Sequence, residues 1–349
     1  MKWVTRTVIK RMERGGIPDV FIRFGIRYLL RQRLASLPLD DPEAGETYLG
    51  HFLESMANGP VALLPEMANE QHYELPLAFF EQVLGARCKY SGCYWSEGVN
   101  TLDEAETQAL KVTCTRAEIA DRQTILELGC GWGSLSLWMA EHYPASRITA
   151  VSNSHAQRAY ILDRAAQAGL TNLEVITSDM NDFHPPQQYD RIVSVEMFEH
   201  MRNWRELFHR IADGLNPGGK FFMHIFCHRA LPYQFIAADE SDWMSRYFFS
   251  GGMMPSYDLP LHFQDCLELA ARWCWNGQHY EKTSNAWLAN MDRRKAEIWP
   301  ILAATYGAEL AQVWWTRWRV FFMACAELFG YHDGKRWLVG HYRFESPSV

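Results

Sequence analysis

The sequence predicts an α/β protein: a mostly parallel sheet covered on both faces, with a helical cap at one end. Three observations carry this. From about residue 105, short apolar runs alternate strictly with segments of helical periodicity. Alternating β and α units force parallel strands, because each crossover lays a helix on a sheet face. The first apolar run enters the glycines of "LELGCGWGSL", where a chain turns from a strand tip into a helix N-terminus. Residues 1–85 read as helical throughout.

Taken in order, "VFIRFGIRYLLRQRL" places apolar residues at helical spacing, with Arg23, Arg27 and Arg31 on one face. "TILELGC" is an apolar strand, "GSLSLWMAEHY" a helix and "SRITAVSN" a second strand. "AQRAYILDRAAQAG" is a helix stopped by Gly169. "LEVITSD" and "YDRIVSV" are strands, "NWRELFHRIADGL" is a helix closed by "NPGG", and "KFFMHIF" is a fifth strand. Residues 230–265 are irregular and aromatic, while "LELAARWCWNG" and "RWLVGHYRF" read as late strands flanking helices of 284–329. No Pro/Gly/Ser-rich linker divides the chain. The expected organisation is a helical cap over 1–100 and a core over 101–349, with a helical insertion at about 230–330.

Composition narrows the function. At 349 residues, 48% hydrophobic and 21% charged, the chain is globular. A net charge of −7 opposes broad nucleic-acid binding. No apolar run is long enough for a membrane helix, and the N-terminus lacks a secretory pattern. Eight scattered cysteines, none in a C-x-x-C pair, predict free thiols in a reducing cytoplasm and no metal site. Nine basic residues against two acidic ones precede residue 34. They form a solvated face of a packing helix or touch an anionic membrane surface. The 14 Trp, 15 Tyr and 19 Phe fill a core and can also line a pocket for a flat or cationic ligand.

Two stretches carry chemistry. In the glycine loop, Gly129, Gly131 and Gly133 let a ligand lie against main-chain N–H groups, and the G-x-G-x-G spacing with Glu127 before it departs from the dinucleotide pattern. In "SVEMFEH", Glu196, Glu199 and His200 follow a buried strand, where charged groups are costly without a task. Their spacing puts Glu196 on one helical face with Glu199 or His200. A plain alternative is an acidic first turn at a positive helix end. Gly129, Asn153, Asp179, Glu196 and His224 all fall near the carboxyl ends of successive strands, where open α/β sheets bind ligands.

The E-x-G-x-G-x-G arrangement resembles motif I of class I S-adenosylmethionine-dependent methyltransferases. "YSGCYW", "GCGWGSL", "MFEHM" and "HYEKTSNAWL" are similar to the cyclopropane fatty acid synthase branch of that superfamily. "VEMFEHMRNW", "DWMSRYFFSGGMMPS" and "CAELFGYHDGKRWLVGHYRF" look like its plant alkaloid N-methyltransferases: the coclaurine, pavine and tetrahydroprotoberberine enzymes. The resemblance implies a Rossmann-like fold with a seven-stranded sheet and S-adenosylmethionine as cofactor. It implies that the glycine loop holds the cofactor's methionine part, Asn153 its ribose and Asp179, with Met180 beside it, its adenine. Tyr90, Ser91 and Gln157 would also reach it. It implies a small-molecule amine as methyl acceptor. Glu196, Glu199 and His200 would do the acid–base work, with His200 or Glu199 as base, and His224, Tyr280, Trp318 and Phe322 would wall the substrate. In the cyclopropane enzymes a bicarbonate base is held by residues corresponding to Glu199, His224, Ile225 and Tyr280, and by a cysteine where this chain has Gly92. Lipid modification at a double bond is therefore the alternative. A homodimer is left open.

Overall fold

The computed structural model describes residues 2–57, 59–63, 75–236 and 242–347. Parts of the expected N-terminal helical region (64–74) and irregular segment (237–241) lie outside them. The described chain opens with helices α1 (Lys2–Glu13), α2 (Asp19–Ala35), α3 (Pro42–Ala57) and α4 (Leu77–Val83). Helix α5 (Leu102–Arg116) starts at a capping box: Thr101 accepts from the Glu104 N–H, and the Glu104 carboxylate accepts from that of Thr101. The alternating units follow: β1 (Thr124–Leu128), α6 (Ser134–His142), β2 (Arg147–Ser152), α7 (His155–Gln167), β3 (Leu173–Thr177), β4 (Tyr189–Val195), α8 (Trp204–Asp213) and β5 (Leu215–His228). Short β6 (Tyr233–Gln234) and β7 (Met253–Met254) pair around α9 (Trp243–Tyr247). The chain then runs β8 (Glu268–Trp275), α10 (Gln278–Arg293), α11 (Lys295–Tyr306), α12 (Ala311–Gly334) and β9 (Trp337–Glu345).

The large sheet has seven strands in the order β3-β2-β1-β4-β5-β9-β8. Strands β1 to β5 pair in parallel, and β9 runs antiparallel between β5 and β8. The centre is dry: Ile125, Leu126, Ala150, Val151 and Ile192 are fully buried. The chain winds outward from β1 to β3 and returns to place β4 on the other side of β1. That reversal opens a crevice beyond the strand ends between β1 and β4.

The late strand read in "LELAARWCWNG" is β8, which lies inside the segment 230–330 and completes the main sheet. The arginine face of α2 is not simply solvated. Arg23 and Arg27 both pair with Glu327 on α12, at 2.9 and 2.6 Å, and Arg319 bridges Asp19 and Asp292. Helices from both ends of the sequence thus share one core, in which Ile22 joins Phe79, Trp287, Trp318 and Phe322. The opposite face of α2 leaves Val20, Phe21, Phe24 and Tyr28 exposed.

Candidate active site

The glycine loop makes the floor of the crevice. All three glycines adopt left-handed backbone, at φ 76°, 52° and 76°. A Cβ on Gly129 would stand 2.7 Å from Met197, and one on Gly133 would stand 2.5 Å from Ile161. At Gly131 it would meet nothing within 4 Å, so that glycine faces open space. One cavity runs over the loop on the side of β2 and β3. Gly129, Gly131, Asn153, Gln157, Asp179 and Met180 line it, together with Glu196 and His200. Gln157 is buried; its Oε1 accepts from Ser152 at 2.6 Å while its Nε2 has no partner. One Asp179 oxygen accepts from the Asn181 N–H at 2.7 Å, so this side chain also shapes its turn.

A second cavity lies on the other side of the loop. Lys89, Tyr90, Ser91, Glu127, Gly129, Gly131, Ser134 and Glu196 line it. Buried Lys89 donates to Ser91 Oγ at 2.5 Å and to the Gly92 carbonyl at 2.7 Å. Glu106 shapes the preceding turn, accepting from the N–H groups of Gly85, Arg87 and Lys89. Burial pushes its carboxyl up to about 7 against those donors. Burial likewise raises Glu127 to about 8, opposed by a hydrogen bond from Ser136. An unpartnered amide, a buried lysine and a glycine open to solvent space make a polar cradle on both sides of one loop. These residues fit S-adenosylmethionine: the cradle supplies donors, a cation and acceptors to a zwitterionic amino acid joined to a nucleoside.

A third cavity opens beside the loop, with a mostly aromatic lining. Its walls include Phe226, Phe249, Tyr280, Trp287, Phe321 and Phe329, and its ionisable lining includes Glu196 and His200 but, among the described residues, no lysine or arginine. Trp318 and Phe322 are fully buried and are not among its lining residues. Phe321, Cys325 and Leu328 present the wall of α12 instead.

Glu196 borders all three cavities. It ends β4 in left-handed backbone, φ 49°, a conformation that costs a non-glycine residue on the order of 1–3 kcal/mol and concentrates at functional sites. Its Oε1 accepts from the Gly92 N–H at 2.8 Å and from His224 Nε2 at 3.1 Å; its Oε2 accepts from the Tyr280 hydroxyl at 2.8 Å. Burial works to raise this carboxyl, but the donors and the Lys89 charge hold it below its ordinary value. His224 is fully buried, and burial lowers it despite Glu196, so it serves as a neutral N–H donor. A Cβ at Gly92 would come within 3.1 Å of Tyr280 and 3.3 Å of Glu196, so glycine gives the carboxylate its room.

The structure separates Glu199 from His200, which the sequence placed together on a short turn, Phe198–His200. His200 borders the first and third cavities, its ring against Phe249. Burial lowers it to about 4, opposed by the Glu196 charge, so the imidazole is neutral. Glu199 lines none of the three cavities; its Oε1 accepts from the Phe226 N–H at 2.7 Å. Burial, then the Glu196 charge, raises it well above its ordinary value, which favours the protonated form. Sequence reasoning missed Lys89, Glu106 and the Phe226, Phe249 and Phe321 walls. Lys89 directly precedes "YSGCYW", but burial of a lysine leaves no mark in sequence. Cys93 is buried, and burial raises its thiol strongly, which fits a structural role.

Comparison with known proteins adds the ancestry. A family described as mycolic acid cyclopropane synthetase matches residues 65–335. The (S)-coclaurine N-methyltransferase of Thalictrum flavum subsp. glaucum is 34% identical over 342 residues, 97% of this chain and 95% of that protein. The pavine N-methyltransferase of the same plant is 31% identical, over 99% and 98%. A crystal structure of coclaurine N-methyltransferase bound to N-methylheliamine and SAH superposes with a TM-score of 0.94 at 32% identity, covering 97% of this chain and 99% of that one. A family match over most of its length, with relatives this similar from end to end, places the chain in the mycolic acid cyclopropane synthetase family, the cyclopropane fatty acid synthase-like branch of the class I S-adenosylmethionine-dependent methyltransferases.

Proposed function

We propose that this enzyme methylates the nitrogen of a small, ring-bearing amine with S-adenosylmethionine. One observation carries the reading: Glu196 stands at the joint of the two cavities over the glycine loop and the aromatic cavity. Bound S-adenosylmethionine supplies a sulfonium methyl group. Gly131, Asn153, Gln157, Asp179 and Met180 would hold its nucleoside side, and Lys89, Tyr90, Ser91 and Glu127 its amino-acid side. The aromatic walls stack a flat ring system and exclude water. A cavity with one ionised carboxylate and, among the described residues, no lysine or arginine favours a cationic amine over an acid. Such an amine enters protonated and must shed a proton before its lone pair can attack. His200, bordering both sides of the joint, is the acceptor by position; burial weakens its basicity and the Glu196 charge opposes that loss, while Glu196 also stabilises the cationic product. Glu199 shapes the turn beneath them. The relatives named for N-methylation, among them the enzyme crystallised with N-methylheliamine, support an alkaloid-like acceptor. Eight free cysteines suit a reducing setting such as the cytoplasm.

The alternative is lipid cyclopropanation with a bound bicarbonate base. Against it, His224 and Tyr280, two of the residues matched to that anion's site, give their donors with the Gly92 N–H to Glu196. An internal carboxylate occupies the donors a bicarbonate would need. The deciding experiment offers labelled S-adenosylmethionine with a panel of ring-bearing secondary and tertiary alkyl amines, and separately with vesicles of unsaturated phospholipid, followed by mass analysis. Label on amine nitrogen is expected; label on lipid alone would reverse the reading.

A further inference from the structure

Behind Glu196 lies a line of buried polar groups that the methyl transfer itself does not use. His224 on β5 and His341 on β9 are directly paired across the strands, both fully buried, with ring centroids 4.5 Å apart. His341 Nδ1 is 3.0 Å from Arg116 Nη1 at the end of α5. The Arg116 guanidinium lies over Trp273 and Trp275. His224 Nδ1 and His341 Nε2 have no partner.

We propose that Arg116 and His341 are positioning residues for Glu196, acting through His224. The logic is one of donors and acceptors. A guanidinium can only donate, so His341 Nδ1 accepts and its proton sits on Nε2. An ionised carboxylate can only accept, so His224 donates from Nε2 to Glu196 and keeps a lone pair on Nδ1. The two remaining nitrogens are therefore complementary, one lone pair and one N–H, on rings already in contact. Hydrogen bonds then run from Arg116 to His341 and from His224 to Glu196, and the two rings between them meet through a ring contact and no hydrogen bond. Charge works the same way. The groups acting on the two rings are Glu196, whose carboxylate also holds the Tyr280 hydroxyl, and the cations Lys89 and Arg116. Burial first, and those cations after it, keep the two touching imidazoles from protonation, so His224 does not take the proton that the reaction releases. Glu196 stays an ionised, singly oriented carboxylate beside the amine.

The inference rests on the role given to Glu196 above, and its test begins without turnover. Nitrogen-15 spectra of the imidazole rings in the cofactor-free enzyme are expected to show His224 and His341 as neutral Nε2–H tautomers from pH 6 to 8. Arg116→Met and His341→Phe are then expected to give kcat a new acid-side fall, displaced upward by about one pH unit, roughly tenfold in rate at pH 6. The same variants keep near-normal rates at pH 9 and an unchanged KM for S-adenosylmethionine. His341→Gln, which can accept from Arg116 and donate onward but not titrate, is expected to restore the normal profile. A His224 imidazolium or Nδ1–H tautomer in the unaltered enzyme would overturn the proposal. So would variants that lower kcat equally at every pH, the mark of a merely structural role. Correct tautomers in an enzyme that methylates no amine would refute the function and leave the tautomer assignment standing.

Discussion

At the scale of single residues, the site depends on which acidic and imidazole groups stay charged. His200 and Glu199 are adjacent in sequence, yet one faces two cavities and the other faces a backbone amide. His200→Ala is expected to lower kcat by about 10²-fold with cofactor binding nearly intact. Glu199→Gln keeps the acceptor for the Phe226 N–H and is expected to cost less than about tenfold. Steady-state rates with calorimetric titration of the cofactor distinguish the two; equal losses would return Glu199 to the role of base. Glu127 gives a test by pH. Its carboxyl moves from 4.5 to about 8 on burial, so between those values the folded state binds more protons than the unfolded one. Its contribution to stability is complete below about 4.5 and declines as pH rises towards 8. Glu127→Gln removes that decline. Relative to the parent its stability is expected to rise by on the order of 2–4 kcal/mol between pH 5 and 8, read from denaturant unfolding. The sequence grouped Glu196, Glu199 and His200; the structure keeps Glu196 and His200 on shared cavities and turns Glu199 to a backbone amide. The sequence could not show that Glu196 bends into left-handed backbone, or that Gly92, Tyr280 and His224, spread over nearly 190 positions, converge on its carboxylate.

At the scale of elements, β1 to β4 were legible because each is short and apolar, whereas β5 begins earlier than expected and takes in the "NPGG" read as a turn. β4 occupies the predicted "YDRIVSV" residue for residue. Helix α12 was harder. "WRVFF" shows a helix rich in rings but not its rotation, and a turn of 100° per residue moves neighbours between faces. Trp318 and Phe322, one turn apart, pack into the core, while Phe321, Cys325 and Leu328 line the aromatic cavity. Trp318→Ala is therefore expected to cost about 3–5 kcal/mol of stability. Phe321→Ala should cost less and raise the KM for the amine several-fold. Thermal unfolding beside amine saturation curves checks the pair; the reverse pattern would mean that α12 is rotated from the position described.

At the scale of the whole molecule, the catalytic joint forms where three parts meet. The sheet's reversal point supplies Gly129 and Glu196, the segment before α5 supplies Lys89 to Gly92, and the helices after β8 supply Tyr280 and Phe321. The pairing of α2 with α12 through Glu327 and Arg319 closes the cap with both ends of the chain. This explains why the sequence shows no linker: the cap is assembled from distant segments. The most direct measurement is single-turnover transfer of labelled methyl from S-adenosylmethionine to a ring-bearing secondary alkyl amine, comparing the parent enzyme with Glu196→Gln. The expected result is label on nitrogen, a rate lower by about 10²-fold or more in the variant, and cofactor affinity within about threefold of the parent. An undiminished rate in Glu196→Gln would contradict the claim that this carboxylate joins cofactor and amine.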